Sequence, residues 1–218
     1  MTGKLVVFEG LSAAGKKTQT QQLLEHLQQT GRKTVSFSFP DYGSPTGQLI
    51  AQYLSGKLGP KQNMVDVASL LYALDRYGHA DALRQALKEN DVVILDRYTP
   101  ANLAFQGALV SENEKEALWS WIESVEKHLP RPDAVVFLDV PRTHTERLIS
   151  NREPKNPLTE KDEHEKDAAF ERRVHKNYLE LARRNNWIVV ACVEGKKLLS
   201  ANAVHERVWN ALESKAIL

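Results

Sequence analysis

The run Val6-Val7-Phe8-Glu9-Gly10-Leu11-Ser12-Ala13-Ala14-Gly15-Lys16-Lys17-Thr18-Gln19 holds the densest chemistry in the chain. Gly10, Gly15 and Lys16 fit the spacing G-x-x-x-x-G-K, in which the glycines let the backbone turn with its N–H groups inward. With Ala13 and Ala14 inside the loop and a helix beginning at Lys16, the donors and the positive helix end converge on one anion. Lys16 then bridges the outer phosphates of a nucleotide as a point charge. The Ser or Thr that usually follows the lysine and holds Mg²⁺ is Lys17 here, and Thr18 comes one position later. Thr18 is therefore the loop's candidate magnesium ligand, acting through water.

Two further segments carry polar groups beside apolar runs. Asp96-Arg97-Tyr98 follows DVVIL, and Phe39-Pro40-Asp41-Tyr42 follows a second apolar run. In an open parallel sheet, ligands sit at the carboxyl ends of the strands, so the phosphate loop and both segments should meet at one edge. An Asp-Arg pair alone could be a surface ion pair; the phosphate loop makes a ligand role the better reading.

The elements that must position these groups follow from periodicity. Lys4 to Glu9 reads as a buried strand. Lys16 to Gln29 reads as a helix with Leu23, Leu24 and Leu27 inward and Gly31 at its C-terminal cap. Thr34 to Phe39, Asp91 to Leu95, Asp133 to Val140 and Trp187 to Val193 read as further strands. Met64 to Glu89 reads as one long helix facing inward through Val67, Leu70, Leu71, Leu74, Leu83 and Leu87. Glu112 to His128 reads as a helix with Leu118, Trp121, Ile122 and Val125 inward, and another helix begins near Pro141. Glu163 to Arg184 has Phe170, Val174, Tyr178 and Leu181 on one face, and Ala201 to Leu212 is the last helix. This alternation predicts an α/β chain, a five-stranded parallel sheet between two helical layers. The polar, proline-bearing stretch Asn151 to Asp162 interrupts the pattern.

Composition narrows the class. The chain has 218 residues, 42% hydrophobic and 26% charged, which suits one compact domain spanning 1–218. A net charge of +1 gives no bias toward nucleic acid or a membrane surface. No apolar run reaches the ~20 residues of a membrane span, and MTGKLVV enters the first strand without room for a signal peptide. Cys192 is the only cysteine, sits among apolar neighbours and reads as a buried core thiol. The expected compartment is the cytoplasm.

Taken together, FEGLSAAGKKTQ, FPDYGSPTG, LYALDR, LDRYTPANLAFQGA, DEHEKD and VEGKKLLSANAVHERVW resemble the thymidylate kinase family in its order and over nearly the whole chain. Adenylate kinases share the Gly-Lys-x-Thr reading but lack the Asp-Arg-Tyr segment with its following Asn and aromatic residue. The resemblance implies a P-loop NTPase fold with a short lid at about 147–162. It implies transfer of the γ-phosphoryl of ATP, with Mg²⁺, to dTMP. Arg97 would hold the acceptor phosphate and Asp96 would support the metal or that arginine. Arg76 would bond the thymine carbonyl edge, and Tyr72, one turn earlier, would stack on the base. Phe39 with Pro40, Tyr42, Asn102 and Phe105 would line the nucleotide, Phe105 standing where tyrosine is common. Ala13 occupies a loop position that is arginine in one subgroup; in the other, basic lid residues act instead, here Arg152 and then Arg147. The family implies a homodimer packed through parts of Val65 to Leu87 and Glu112 to Leu129.

Three residues depart from the pattern. Ser12 replaces an acid, Lys17 replaces Ser or Thr, and Asp41-Tyr42 lacks the arginine that many members place in this loop against the acceptor phosphate. Local charge is roughly preserved, and Asp41 could take over a metal or sugar contact. Two alternatives remain open at this level: a kinase with a changed acceptor such as dUMP, and a nucleotide-binding protein with weak activity.

Overall fold

The computed structural model describes residues 3–145, 167–195 and 197–218. Three runs are buried nearly throughout: β1 (Lys4–Glu9), β3 (Val92–Asp96) and β4 (Ala134–Asp139). Strands of this kind need cover on both faces. They are the centre of a parallel five-stranded sheet in the order β2-β3-β1-β4-β5, with β2 (Thr34–Ser38) and β5 (Ile188–Ala191) at its edges. Val6, Phe8 and Ile94 face one layer, which contains α1 (Lys16–Gln29) and α8 (Ala201–Ser214) through Leu23, Leu27, Val204, Val208 and Leu212. Leu5, Val7 and Leu95 face the other, where α4 (Ala80–Glu89) contributes Leu83 and Ala86. Phe137 packs in the same direction against α5 (Thr99–Gln106), α6 (Glu112–Glu126) and α7 (Ala168–Arg184). The predicted three-layer architecture is therefore the observed one.

Register matters more than layer count for the site. Phe8 pairs with Asp96, and Ser38 pairs with Asp96 from the other side. The ends of β1, β2 and β3 thus finish level, and the segments that follow them start on one rim.

Several expectations need correction. The long helix is two, α3 (Val65–Gly78) and α4, broken at His79. His79 Nδ1 lies 2.9 Å from the Asp75 carbonyl and Nε2 lies 3.2 Å from Asp41 Oδ2, so polar bonds occupy the break. Val67, Leu70 and Leu74 point outward, at 43%, 46% and 56% exposure. The inward face of α3 instead holds Ala68, Ser69, Asp75 and Arg76, whose polar groups are bonded. Trp119, not Trp121, is the buried tryptophan of α6; its indole N–H donates to the Leu103 carbonyl at 2.8 Å.

Two helices lie where the sequence reading placed none. α2 (Pro45–Leu54) starts with Ser44 accepting the Gly47 N–H and Pro45 in the first turn. α5 also carries a proline in its first turn. The last predicted strand is shorter than expected and is followed by a small hairpin, β6 (Val193–Glu194) and β7 (Lys197–Leu198). Cys192 is buried as expected, and burial pushes its thiol up to about 12, far from a reactive thiolate. The predicted lid segment, about 147–162 with Arg147 and Arg152, lies outside the described residues. No described helix is long and apolar enough to cross a membrane.

Candidate active site

The loop from Gly10 to Lys16 is built by backbone torsion. Gly10 and Gly15 have φ of 154° and 87°, and Ala13 joins them at 58°. A Cβ on Gly10 would stand 3.0 Å from the Leu138 carbonyl oxygen and 3.2 Å from Ala14 Cβ, so the turn against β4 needs glycine. α1 then begins with neither an acidic side chain in its first turn nor a side-chain cap, so its N-terminal donors suit an anion. Lys16 is 5% exposed. Its Nζ donates to the carbonyls of Gly10 at 3.2 Å and Leu11 at 2.8 Å, which folds the ammonium over the loop. Within the loop Ser12 and Ala14 are buried and Ala13 is partly buried, and Lys17 and Thr18 are exposed on the first turn of α1.

At the end of β3 the chain makes a second forced turn. Arg97 has φ 68°, a left-handed conformation that a non-glycine residue keeps only when its surroundings impose it. Its N–H donates to the Phe8 carbonyl at 3.0 Å, and the next N–H, of Tyr98, donates to Glu9 Oε1 at 2.9 Å. The guanidinium lies 4.9 Å from the Phe105 ring centre, a cation–π distance. Arg97 Nη1 donates to the Tyr178 hydroxyl at 3.2 Å, and that hydroxyl donates to Glu9 Oε2 at 2.8 Å. Glu9 is fully buried. Burial pushes its carboxyl up, opposed first by Arg97 and then by the bonds from Tyr178 and Tyr98. Burial would depress Arg97, but Tyr178, Glu9 and Asp96 outweigh it and hold it above its usual value. The arginine therefore stays charged beside the loop.

The third part lies between α3, α5 and α6. Arg76 is buried and donates through Nε and Nη2 to Glu126 Oε1. Asn102 Nδ2 donates to the Ser69 carbonyl at 3.0 Å and to Glu126 Oε1 at 3.2 Å. With both amide hydrogens so engaged, the Asn102 orientation is fixed, and its Oδ1 is buried without a hydrogen-bond partner among the described residues. Burial raises the Glu126 carboxyl, with Arg76 and Asn102 pulling the other way. Arg76 thus belongs to a buried ion pair. Tyr72 and Tyr42 pack against the Ile50–Tyr53–Leu54–Ala68 cluster, and Tyr72 meets Tyr53 edge-on at 6.5 Å. Phe39 is buried against Tyr98, 5.9 Å between ring centres.

The structure brings together Arg97 with Phe105, and Arg76 with Asn102. It sets Phe39 and Tyr42 on the rim after β2 and the loop residues on the rim after β1. Asp41 is turned aside: Oδ1 accepts the Gly43 N–H at 2.9 Å and Oδ2 faces His79. Glu9, Glu126 and Tyr178 were not among the predicted site residues. Glu9 reads from sequence as a strand end and Tyr178 as a core aromatic, and both are buried; only an ionisable residue directly before the glycine loop hinted at more.

Among the described residues, no group of three or more His, Cys, Asp or Glu side chains is arranged to hold a metal. Asp96, at the end of β3, and Thr18, in the first turn of α1, are hard oxygen donors. Such a sparse set fits Mg²⁺, which keeps its waters and binds mainly through substrate phosphates.

A sequence model of the family described as thymidylate kinase matches residues 8–203. The thymidylate kinase of Mycobacterium tuberculosis (strain H37Rv) is 32% identical over 193 residues, covering 85% of this chain and 90% of that protein. The thymidylate kinase of Danio rerio is 31% identical over 190 residues, covering 86% and 82%. The solved structure of thymidylate kinase from Candida albicans superposes with a TM-score of 0.74 at 24% identity, covering 99% of this chain and 93% of that one.

Proposed function

The chain belongs to the thymidylate kinase family, and from that membership we infer its reaction: it transfers the γ-phosphoryl group of ATP to dTMP, giving ADP and dTDP. One observation carries the reading into this molecule. The anion loop and Arg97 leave neighbouring parallel strands at one level, Phe8 opposite Asp96, so two polyanions can be held side by side.

We propose the following division of labour. Lys16 and the N–H groups of Gly10, Ala13, Ala14, Gly15, Lys17 and Thr18 hold the ATP phosphates. Arg97, stacked on Phe105, holds the phosphate of dTMP. That phosphate has a second pKa near 6, so its attacking oxygen is already deprotonated at pH 7 and needs no general base. The task is to align two anions and screen their repulsion. When bound, Mg²⁺ neutralises charge on the ATP phosphates, and Asp96 and Thr18 are the residues that would hold it, through water. Arg152 and Arg147 are the proposed lid cations.

For the base, the buried Asn102 Oδ1 is an acceptor beside the donors of Arg76. That pattern complements the imide edge of thymine, an N–H flanked by carbonyls. Cytosine offers an acceptor at that N and would leave Asn102 Oδ1 unpaired, a costly outcome in a buried site. Tyr72, Tyr42 and Phe39 supply the apolar walls. Residues 1–218 act as one kinase domain, the cytoplasm is its compartment, and two copies pair through α3 and α6. The exposed stripe Val67, Leu70, Leu74 and the half-exposed Trp121 support that pairing. ADP formation from ATP·Mg²⁺ with dTMP, dUMP, ribose TMP, AMP, CMP or no acceptor tests the reading. Turnover with dTMP and none with CMP is expected. Preference for AMP or CMP would contradict the base assignment, preference for dUMP or ribose TMP would contradict dTMP as the acceptor, and no turnover with any acceptor would contradict the reaction.

A further inference from the structure

Glu9 belongs to the strand that launches the phosphate loop, yet its carboxylate is spent on the other half of the site. Oε1 accepts the backbone N–H of Tyr98 at 2.9 Å, and Oε2 accepts the Tyr178 hydroxyl at 2.8 Å. The same hydroxyl accepts from Arg97 Nη1 at 3.2 Å. A guanidinium can only donate and an ionised carboxylate can only accept, so the phenol proton has one place to go, toward Glu9. One fully buried carboxylate thereby restrains both ends of Arg97: the left-handed turn of its backbone, and its head group. The tyrosine arrives from α7, 169 positions away in sequence, and its ring stacks on Phe137 at 5.1 Å and meets Phe105 edge-on at 6.2 Å. Packing holds the ring, so its hydroxyl serves as a fixed relay.

We propose that Glu9 and Tyr178 are positioning residues that aim the Arg97 guanidinium at the acceptor's phosphate, with the Tyr178 hydroxyl as the link. This rests on Arg97 as the phosphate-binding arginine. Because Glu9 directly precedes Gly10, the same residue also fixes the spacing between the donor loop and the acceptor arginine.

The test separates phosphate from nucleoside. Calorimetry measures dTMP and thymidine binding to wild type, Tyr178→Phe and Arg97→Ala, and to the double variant. Tyr178→Phe should weaken dTMP about tenfold, the cost of losing one charge-assisted hydrogen bond, and leave thymidine within about twofold. In the Arg97→Ala background the same change should have no further effect on dTMP. Glu9→Gln should repeat the dTMP-selective loss, since its single carbonyl oxygen cannot take the place of both carboxylate oxygens, which accept from the Tyr98 N–H and the Tyr178 hydroxyl, and it serves if Tyr178→Phe does not fold. Equal losses for dTMP and thymidine, unchanged dTMP affinity in a folded variant, or an undiminished loss in the Arg97→Ala background would overturn the proposal. A wild-type protein that does not bind dTMP at all would instead overturn the functional reading beneath it.

Discussion

The proposed donor loop and acceptor pocket are built by different means. The loop is local and made of backbone: Gly10 to Thr18 supplies the turn, the donors and the lysine, with positive φ at Gly10, Ala13 and Gly15. The acceptor side is assembled from side chains far apart in sequence. Arg76 meets Glu126 across 50 positions, Asn102 meets Ser69 across 33, and Tyr178 meets Glu9 across 169. Local backbone geometry is cheap to form and leaves a spacing in the sequence. A buried side-chain network leaves none, and it ties ligand recognition to folding stability, because each charge in it depends on a partner.

That contrast predicts where activity and stability part company. Lys16→Ala removes a cation whose bonds to the Gly10 and Leu11 carbonyls stay within the loop. It should lower kcat/KM by about 10³ or more while melting close to wild type in a thermal scan. A large loss of melting temperature would break the distinction. Glu126→Ala should behave oppositely. It strands the buried Arg76 guanidinium and one Asn102 donor, which costs about 3–5 kcal/mol in denaturant unfolding. A loss under about 1 kcal/mol would show that water or another acceptor replaces the carboxylate.

The smallest effect lies behind the donor loop, between α1 and α8. His26 Nδ1 and His205 Nε2 are 3.0 Å apart, and His26 stacks on Trp209 at 3.7 Å. His205 Nδ1 is buried and unpartnered among the described residues. Burial, then the neighbouring His26, lowers the His205 pKa below 6.5. The folded state therefore binds this proton less readily than the unfolded chain. Stability should be complete above about pH 6.5 and fall as the pH drops from there toward the depressed folded value. The expected change is about 2–4 °C in melting temperature, flattened in His205→Gln. An unchanged slope in that variant would place the acid sensitivity elsewhere.

The sequence was legible where signals are local. The central strands announced themselves as unbroken apolar runs, and Gly31 marked the end of α1 with φ 81°. α2 was legible in principle through Ser44-Pro45, but its apolar pattern is short and Gly47 lies in its first turn. α3 misled because its apolar stripe, Val67, Leu70 and Leu74, faces out and its polar residues face in. Periodicity assumes that the buried face is the apolar one; on α3 the bonds of Ser69, Asp75 and Arg76 to the Val65 carbonyl, the Asp41 N–H and Glu126 let polar residues take that face. Glu9 and Tyr178 were correctly read as buried, but burial alone does not reveal which polar tips meet.

The central claim is that two anion sites, built separately, lie side by side. Calorimetric titration of Lys16→Ala and Arg97→Ala, each with ATP and with dTMP, tests it most directly. Lys16→Ala should lose most of its ATP affinity and keep dTMP; Arg97→Ala should lose dTMP and keep ATP. If each variant lost both ligands equally, the two sites would be one, and the division into donor loop and acceptor pocket would be wrong.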